Sequence, residues 1–141
     1  MVSQLTIFLE NKKGRLAAAC RVLGNAGINM HALSLADTAD FGLVRTLCDK
    51  PEAAAAALRE AGYRAAIAPV LAVRLPHAEG ALASLLELLD EKDVNVEYGY
   101  CFALDGDAID VLKINAGEEL EQALVEAGYG IVKPEELYTL D

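Results

Sequence analysis

Basic residues are scarce. Twelve Lys and Arg stand against 22 Asp and Glu in 141 residues, a formal net charge of −10. So acidic a chain repels phosphate backbones and anionic lipid, so neither nucleic acid nor a membrane surface is expected as a partner. Cysteine is scarce too: Cys20, Cys48 and Cys101 are odd in number and widely spaced, which fits reduced thiols. His31 and His77 show no His-x-x-x-His spacing, and the cysteines no Cys-x-x-Cys, so no metal is expected. No other cofactor is expected either. Long apolar runs are absent, as is a basic start leading into an apolar stretch, so the expectation is a soluble, cytoplasmic protein. Catalytic pairings are also missing. No nucleophile stands beside a base, and acids such as Glu118, Glu119, Glu121 and Glu126 read as a solvated helix exterior, so an enzyme is not expected.

What is present is a repeat. Gly14 and Leu16 recur as Gly80 and Leu82, 66 positions on; Asn29 recurs as Asn95, and Glu60-Ala61-Gly62-Tyr63 as Glu126-Ala127-Gly128-Tyr129. The spacing needs no gap. A unit of about 65 residues is a small domain, so the chain divides into residues 1–69 and 70–141.

Each unit carries the same succession of patterns. Leu5, Ile7 and Leu9 alternate as a half-buried strand, as do Leu71, Val73 and Leu75. Helical spacing follows at Leu16, Ala19, Cys20 and Leu23, and at Leu82, Leu85, Leu86 and Leu89. Cys20 on that stripe reads as a small core residue. Gly27 and Asp93 are placed to end these helices. Second strands are expected at 29–36 and 95–102, and third strands at 43–48 and 108–114. The turns between them fall at Asp40-Phe41-Gly42 and Asp105-Gly106-Asp107, the latter a tight-hairpin signal. Asp49 and Asn115 are expected to cap the second helices, with Pro51 in a first turn. On those helices Ala54, Ala57, Leu58 and Ala61 match Leu120, Ala123, Leu124 and Ala127. Gly62 and Gly128 end them, and short fourth strands follow at 64–68 and 130–133.

The order strand-helix-strand-strand-helix-strand, twice, predicts an α+β fold. Two ferredoxin-like βαββαβ sandwiches lie in tandem, each a four-stranded antiparallel sheet with two helices on one face. With only Pro69 between the copies, their sheets are expected to abut. The uncovered sheet faces and edges call for a further partner, so a homodimer is expected.

The first loop offers chemistry. Asn11-Lys12-Lys13-Gly14-Arg15-Leu16 sets a glycine at a helix start just after a strand. Free N–H groups and the helix dipole favour a carboxylate or phosphate there, and Asn11 could add an amide contact. Asn29 opens the neighbouring strand. The plainer alternative is that Gly14 and Asn29 are turn residues only. Tyr98 and Tyr100 share one strand face, suited either to a cleft or to packing. Tyr63 and Tyr129, just past helix ends, read as structural.

Asn11-x-x-Gly14-x-Leu16 with Gly27-Ile28-Asn29, and Glu79-Gly80-x-Leu82 with Val94-Asn95-Val96, resemble the ACT domain family of small amino-acid-binding regulatory modules. Phe41-Gly42-x-Val44-Arg45 followed by Asp49-x-Pro51-Glu52 adds to the likeness. The resemblance implies a free amino acid bound where two such domains meet, between the first loop of one and the second strand of another. By matching position it implies Asn11, Gly14, Arg15, Leu16 and Asn29 in the first copy, and His77, Glu79, Gly80 and Asn95 in the second. Glu79 would repel a carboxylate but receive an ammonium, so the first copy is the better carboxylate site. The resemblance admits two roles, an amino-acid sensor or a regulatory subunit docking on a biosynthetic enzyme without sensing.

Overall fold

The computed structural model describes residues 1–10, 12–37 and 41–138. Backbone contacts divide the chain into two units. The first holds Ser3–Ala68 with the chain from Pro134 onward, and the second holds Met1–Val2 with Pro69–Lys133. Along the chain come β1 (Val2–Glu10), α1 (Arg15–Asn25), β2 (Met30–Asp37), β3 (Phe41–Cys48), α2 (Pro51–Glu60) and β4 (Arg64–Leu75). There follow α3 (Ala81–Glu91), β5 (Val96–Leu104), β6 (Asp107–Ile114), α4 (Glu118–Glu126), β7 (Gly130–Ile131) and α5 (Pro134–Tyr138).

In the first unit the strand order is β2-β3-β1-β4, with Leu5 opposite Thr46 and Ile7 opposite Val44. In the second it is β5-β6-β4, with β7 against the other side of β4. Both are ferredoxin-like antiparallel sheets with two helices. The side chains that join helices to sheet repeat with the sequence. Leu5, Ile7 and Leu9 with Ala19, Leu23, Val44, Cys48, Ala54 and Leu58 form the first core. Leu71, Val73 and Leu75 with Leu85, Leu89, Leu112, Ile114, Leu120 and Leu124 form the second. Tyr63 and Tyr129 pack against their respective cores. Each fully buried leucine contributes about 1.5–3 kcal/mol relative to exposure.

Turn chemistry follows the sequence closely. Leu104 pairs with Asp107, leaving a two-residue loop in which Asp105 (φ 52°) and Gly106 (φ 84°) are both left-handed, the hairpin turn that Asp-Gly favours. At the end of α3, Asp93 takes φ 57° where the first unit has Gly27 at 74°.

Several expectations are corrected. Asp49 does not cap α2: the cap position is Lys50 without a side-chain bond, and Asp49 Oδ1 instead accepts the Asn29 N–H at 3.0 Å. Asn115 does not cap α4, because the chain runs extended through Gly117 before the helix begins. The strands expected on either side of Pro69 are one element, β4; an imino nitrogen is tolerated in a strand where no ladder bond needs its N–H. The last strand stops at Ile131. Ala61 and Ala127 are exposed, since each helix has already closed. Leu82 and Leu86 are 43% and 38% exposed, so the α3 stripe buries only Leu85 and Leu89; Cys20 is half-buried beside Ala19 and Leu23. In the first hairpin Phe41 and Gly42 are already strand, and Asp40 lies outside the described residues.

The helix α5 has no counterpart in the repeat. Pro134 fits a helix start and Glu135 and Glu136 suit its first turn. It packs on the first unit, with Leu137 fully buried. The Leu137 carbonyl lies 2.9 Å from His31 Nε2, and the Tyr138 hydroxyl accepts the Ser3 N–H at 2.7 Å. His31 thereby has a structural partner.

Candidate functional site

The two glycine loops fold alike. Gly14 (φ 87°, ψ −12°) and Gly80 (φ 79°, ψ −4°) are the N-cap residues of α1 and α3, both left-handed. An L side chain would be strained at either place, though a Cβ would meet nothing within 4 Å. The loop bonds match too: the Arg15 N–H reaches Lys12 O and the Ala18 N–H reaches Gly14 O, while Ala81 reaches Ala78 O and Ser84 reaches Gly80 O. Neither helix start has a capping side chain or an acidic residue in its first turn. By helix geometry the amides of residues 16 and 17, and of 82 and 83, point beyond the helix end without an intrahelical acceptor. Such an end accepts a negative group.

The charges around the loops differ. In the first unit Glu10 Oε2 lies 3.1 Å from Lys12 Nζ and 3.6 Å from Arg15. The Lys12 hydrogen bond and charge, then the Arg15 charge, hold the Glu10 carboxyl below its usual range. Both cations are therefore engaged by a carboxylate of their own loop. Arg15 and Glu10 also line a cavity of about 310 Å³ with Tyr63 and Arg64, and the Arg64 guanidinium sits 5.3 Å from the Phe8 ring centre. In the second unit Pro76 stands where Glu10 would be, and Ala78 and Ala81 replace the two cations.

The remaining candidates scatter. Leu16 is half-buried against the first core. Asn29 is exposed at the far end of α1, its N–H and carbonyl both bonded to Asp49. The eleven residues of α1, at about 1.5 Å each, put roughly 16 Å between the Gly14 and Asn29 ends. Asn95 stands in the same relation to Gly80 across α3. Within one unit, then, loop and asparagine do not converge on one small ligand. His77 is exposed and lines a cavity of about 520 Å³ with Phe102, Gly106 and Asp107 of the β5–β6 hairpin. Glu79 is exposed on the loop tip. Asn11 lies outside the described residues. Among those residues no group of three or more His, Cys, Asp or Glu is arranged to hold a metal.

One polar centre escaped the sequence reading. Asp110 of β6 is only 3% exposed, and its Oδ1 accepts the Cys101 thiol at 3.3 Å. Burial is the main cause that raises the Asp110 carboxyl above its usual range, partly offset by that hydrogen bond; burial also pushes the Cys101 thiol up to about 11. The signal was legible: in Ala108-Ile-Asp-Val-Leu-Lys-Ile114, strict alternation puts Asp110 on the face of Leu112 and Ile114.

Two ferredoxin-like units, each opening its first helix on an uncapped left-handed glycine, define the fold class of the chain. The chain matches the ACT domain pair family over residues 1–141, and it belongs to that family. A protein from Bacteroides thetaiotaomicron superimposes with a TM-score of 0.91 at 35% identity, over 99% of this chain and 96% of that one. The regulatory subunit of aspartate kinase from Thermus thermophilus, in its ligand-free form, gives 0.67 at 18% identity, over 89% and 92%. The Thermus flavus regulatory subunit gives 0.66 at 18%, over 89% and 88%. At that identity the likeness is one of fold. No curated protein matches the chain in sequence. Among the described residues no helix is long and apolar enough to cross a membrane.

Proposed function

We propose that the chain is a cytoplasmic regulatory protein that binds a free amino acid and modulates amino-acid metabolism without catalysis of its own. Its functional units are the two repeats, 1–69 and 70–141, apart from Met1–Val2 and the chain from Pro134, which group with the other repeat. The observation that carries this reading is the duplicated helix start, a left-handed glycine with no capping side chain and no acid in the first turn. There the ligand carboxylate meets backbone N–H groups and the positive helix end. Asn29 and Asn95 lie a helix length away, so they serve a ligand held by the loop of another ACT unit. A homodimer supplies that unit, and ligand at the shared interface favours one arrangement of the dimer that a partner enzyme senses.

The second reading, a docking subunit for a biosynthetic enzyme with no ligand of its own, is favoured by the Glu10 pairs. One carboxylate shared by Lys12 and Arg15 offsets half of the charge that would attract a ligand carboxylate in the first unit. Thermal unfolding with each of the twenty proteinogenic amino acids separates the two. A ligand at a hundred times its Kd stabilises by about 2.7 kcal/mol, readily seen as a rise in Tm. A rise with one or a few of them supports sensing; no rise with any supports docking.

A further inference from the structure

The second unit carries a charge where the first carries hydrocarbon. Asp110 pairs across the sheet with Val73 on one side and Cys101 on the other, so all three share the face that meets the helices. Its counterpart 66 positions earlier, Val44, is a buried core residue. Asp110 Oδ2 is buried and, among the described residues, has no hydrogen-bond partner. A carboxylate oxygen left so carries its full desolvation cost, which packing alone does not repay.

Asp110 also lines an open groove of about 260 Å³ between α3 and β5. Leu82 and Leu86 form one wall; Val96, Gly99, Tyr100, Cys101 and Leu112 form the other. The groove is open because β5 has no side chain at 99. A Cβ there would stand 2.9 Å from Leu112 Cδ2 and 3.0 Å from the Val111 carbonyl, so a side chain would fit only if Leu112 and the neighbouring strand gave way. At the equivalent positions of the first unit the chain has Leu33 and Leu35 in place of Gly99 and Cys101.

We propose that this groove binds a small cation with an apolar body, a primary aliphatic ammonium, whose N–H groups pair with Asp110 Oδ2 while its hydrocarbon lies against Leu82 and Leu86. The chemistry of the walls selects this class. An anion meets a carboxylate, a wholly apolar molecule leaves the buried oxygen unpaired, and a metal finds one carboxylate beside a protonated thiol. An ammonium supplies the missing donor and a charge-assisted bond in an apolar setting. The groove begins at Leu82, two residues past Gly80, so it adjoins the second glycine helix start but calls for the opposite charge. The same ammonium could come from a simple amine or from an apolar amino acid, and two probes distinguish these sources.

The test is a titration of isopentylamine, and separately of leucine, into the full chain at pH 8, read by calorimetry and by thermal unfolding. Isopentylamine has no carboxylate and does not probe the helix starts. It is expected to bind wild type and to bind Asp110→Asn at least tenfold more weakly. A leucine signal lost in the same variant assigns the ammonium to an amino acid; a leucine signal that survives, or none, assigns the groove to amines. Leu86→Trp, a change at an exposed position, fills the groove and should abolish amine binding even where Asp110→Asn folds poorly. No binding of isopentylamine to wild type overturns the proposal, as does equal binding to wild type and either variant.

Discussion

The two units share a backbone plan and most of a core, yet one treats its third strand as packing and the other as a place for charge. Leu5, Ile7, Leu9, Leu23 and Leu58 have buried counterparts in Leu71, Val73, Leu75, Leu89 and Leu124, all at the same spacing. Val44 and Asp110 break the series. The loops diverge in a second way: Glu10 pairs with both Lys12 and Arg15 in the first unit, while Pro76, Ala78 and Ala81 stand at those places in the second. The lesson is that duplication preserved what holds each sheet to its helices and left the polar decoration free to vary. Sites of function are then to be sought where the copies disagree over a common frame, and where both keep a costly feature such as a left-handed glycine.

The comparison can be broken most forcefully in the shared core. Leu58→Ala and Leu124→Ala each remove a fully buried leucine from equivalent places, and each should cost about 2–5 kcal/mol in urea unfolding. Markedly unequal losses would mean that the units do not share their energetics as they share their sequence. Exchanging the divergent pair comes next. Val44→Asp should destabilise the protein by about 3 kcal/mol or more, because it buries an unpaired charge in hydrocarbon. Asp110→Val should stabilise it at neutral pH by roughly 1–3 kcal/mol.

The pH dependence sharpens the same point. Because the folded Asp110 carboxyl titrates above its unfolded value, its contribution is fully present below the unfolded carboxylate pKa of about 3.9. That contribution is lost as pH rises through the raised folded value. Around it stand the Cys101 thiol, Tyr100 and the apolar Val73, Leu82, Leu86, Val96 and Leu112. Wild type should therefore lose stability relative to Asp110→Asn from about pH 4 upward, in paired urea titrations; parallel curves would contradict a buried carboxylate cost.

Smaller effects belong to the loops. Gly14→Ala and Gly80→Ala should each cost about 1–2 kcal/mol, alike in the two units, since both force a Cβ into the left-handed region without a clash. Thermal unfolding of the pair would reveal any asymmetry. Smallest of all, Glu10→Gln frees Lys12 and Arg15 from an exposed ion pair. It should leave Tm nearly unchanged while tightening carboxylate binding at the first loop, more so at low salt. A calorimetric titration at two ionic strengths checks it.

Much of this frame was legible because the repeat doubled every weak signal. Alternation in Leu5–Leu9 and Leu71–Leu75, and the Asp105-Gly106 turn, translate directly into local geometry. The failures had tertiary causes. Asp49 had the composition of a cap, but the Asn29 amide won its side chain. Leu82 and Leu86 kept helical spacing yet flank a groove, because the facing strand offers Gly99 and not a large side chain. The short helix α5 follows the repeat and had no twin to announce it, although Pro134-Glu-Glu was a readable start. At the candidate site the glycine helix starts were anticipated from the sequence, whereas their left-handed backbone and the engagement of Arg15 by Glu10 depend on loop geometry. Asp110 was readable from alternation with Leu112 and Ile114, and comparison with its apolar counterpart Val44 marks it as the exception.

The central claim, that uncapped glycine helix starts receive an amino-acid carboxylate, is tested most directly at the amides themselves. Amide resonances of uniformly nitrogen-15-labelled protein should be followed as the stabilising amino acid is added. The account predicts that Leu16, Ala17, Leu82 or Ala83 shift first and saturate with the ligand. Saturable binding that leaves all four amides unmoved would contradict it.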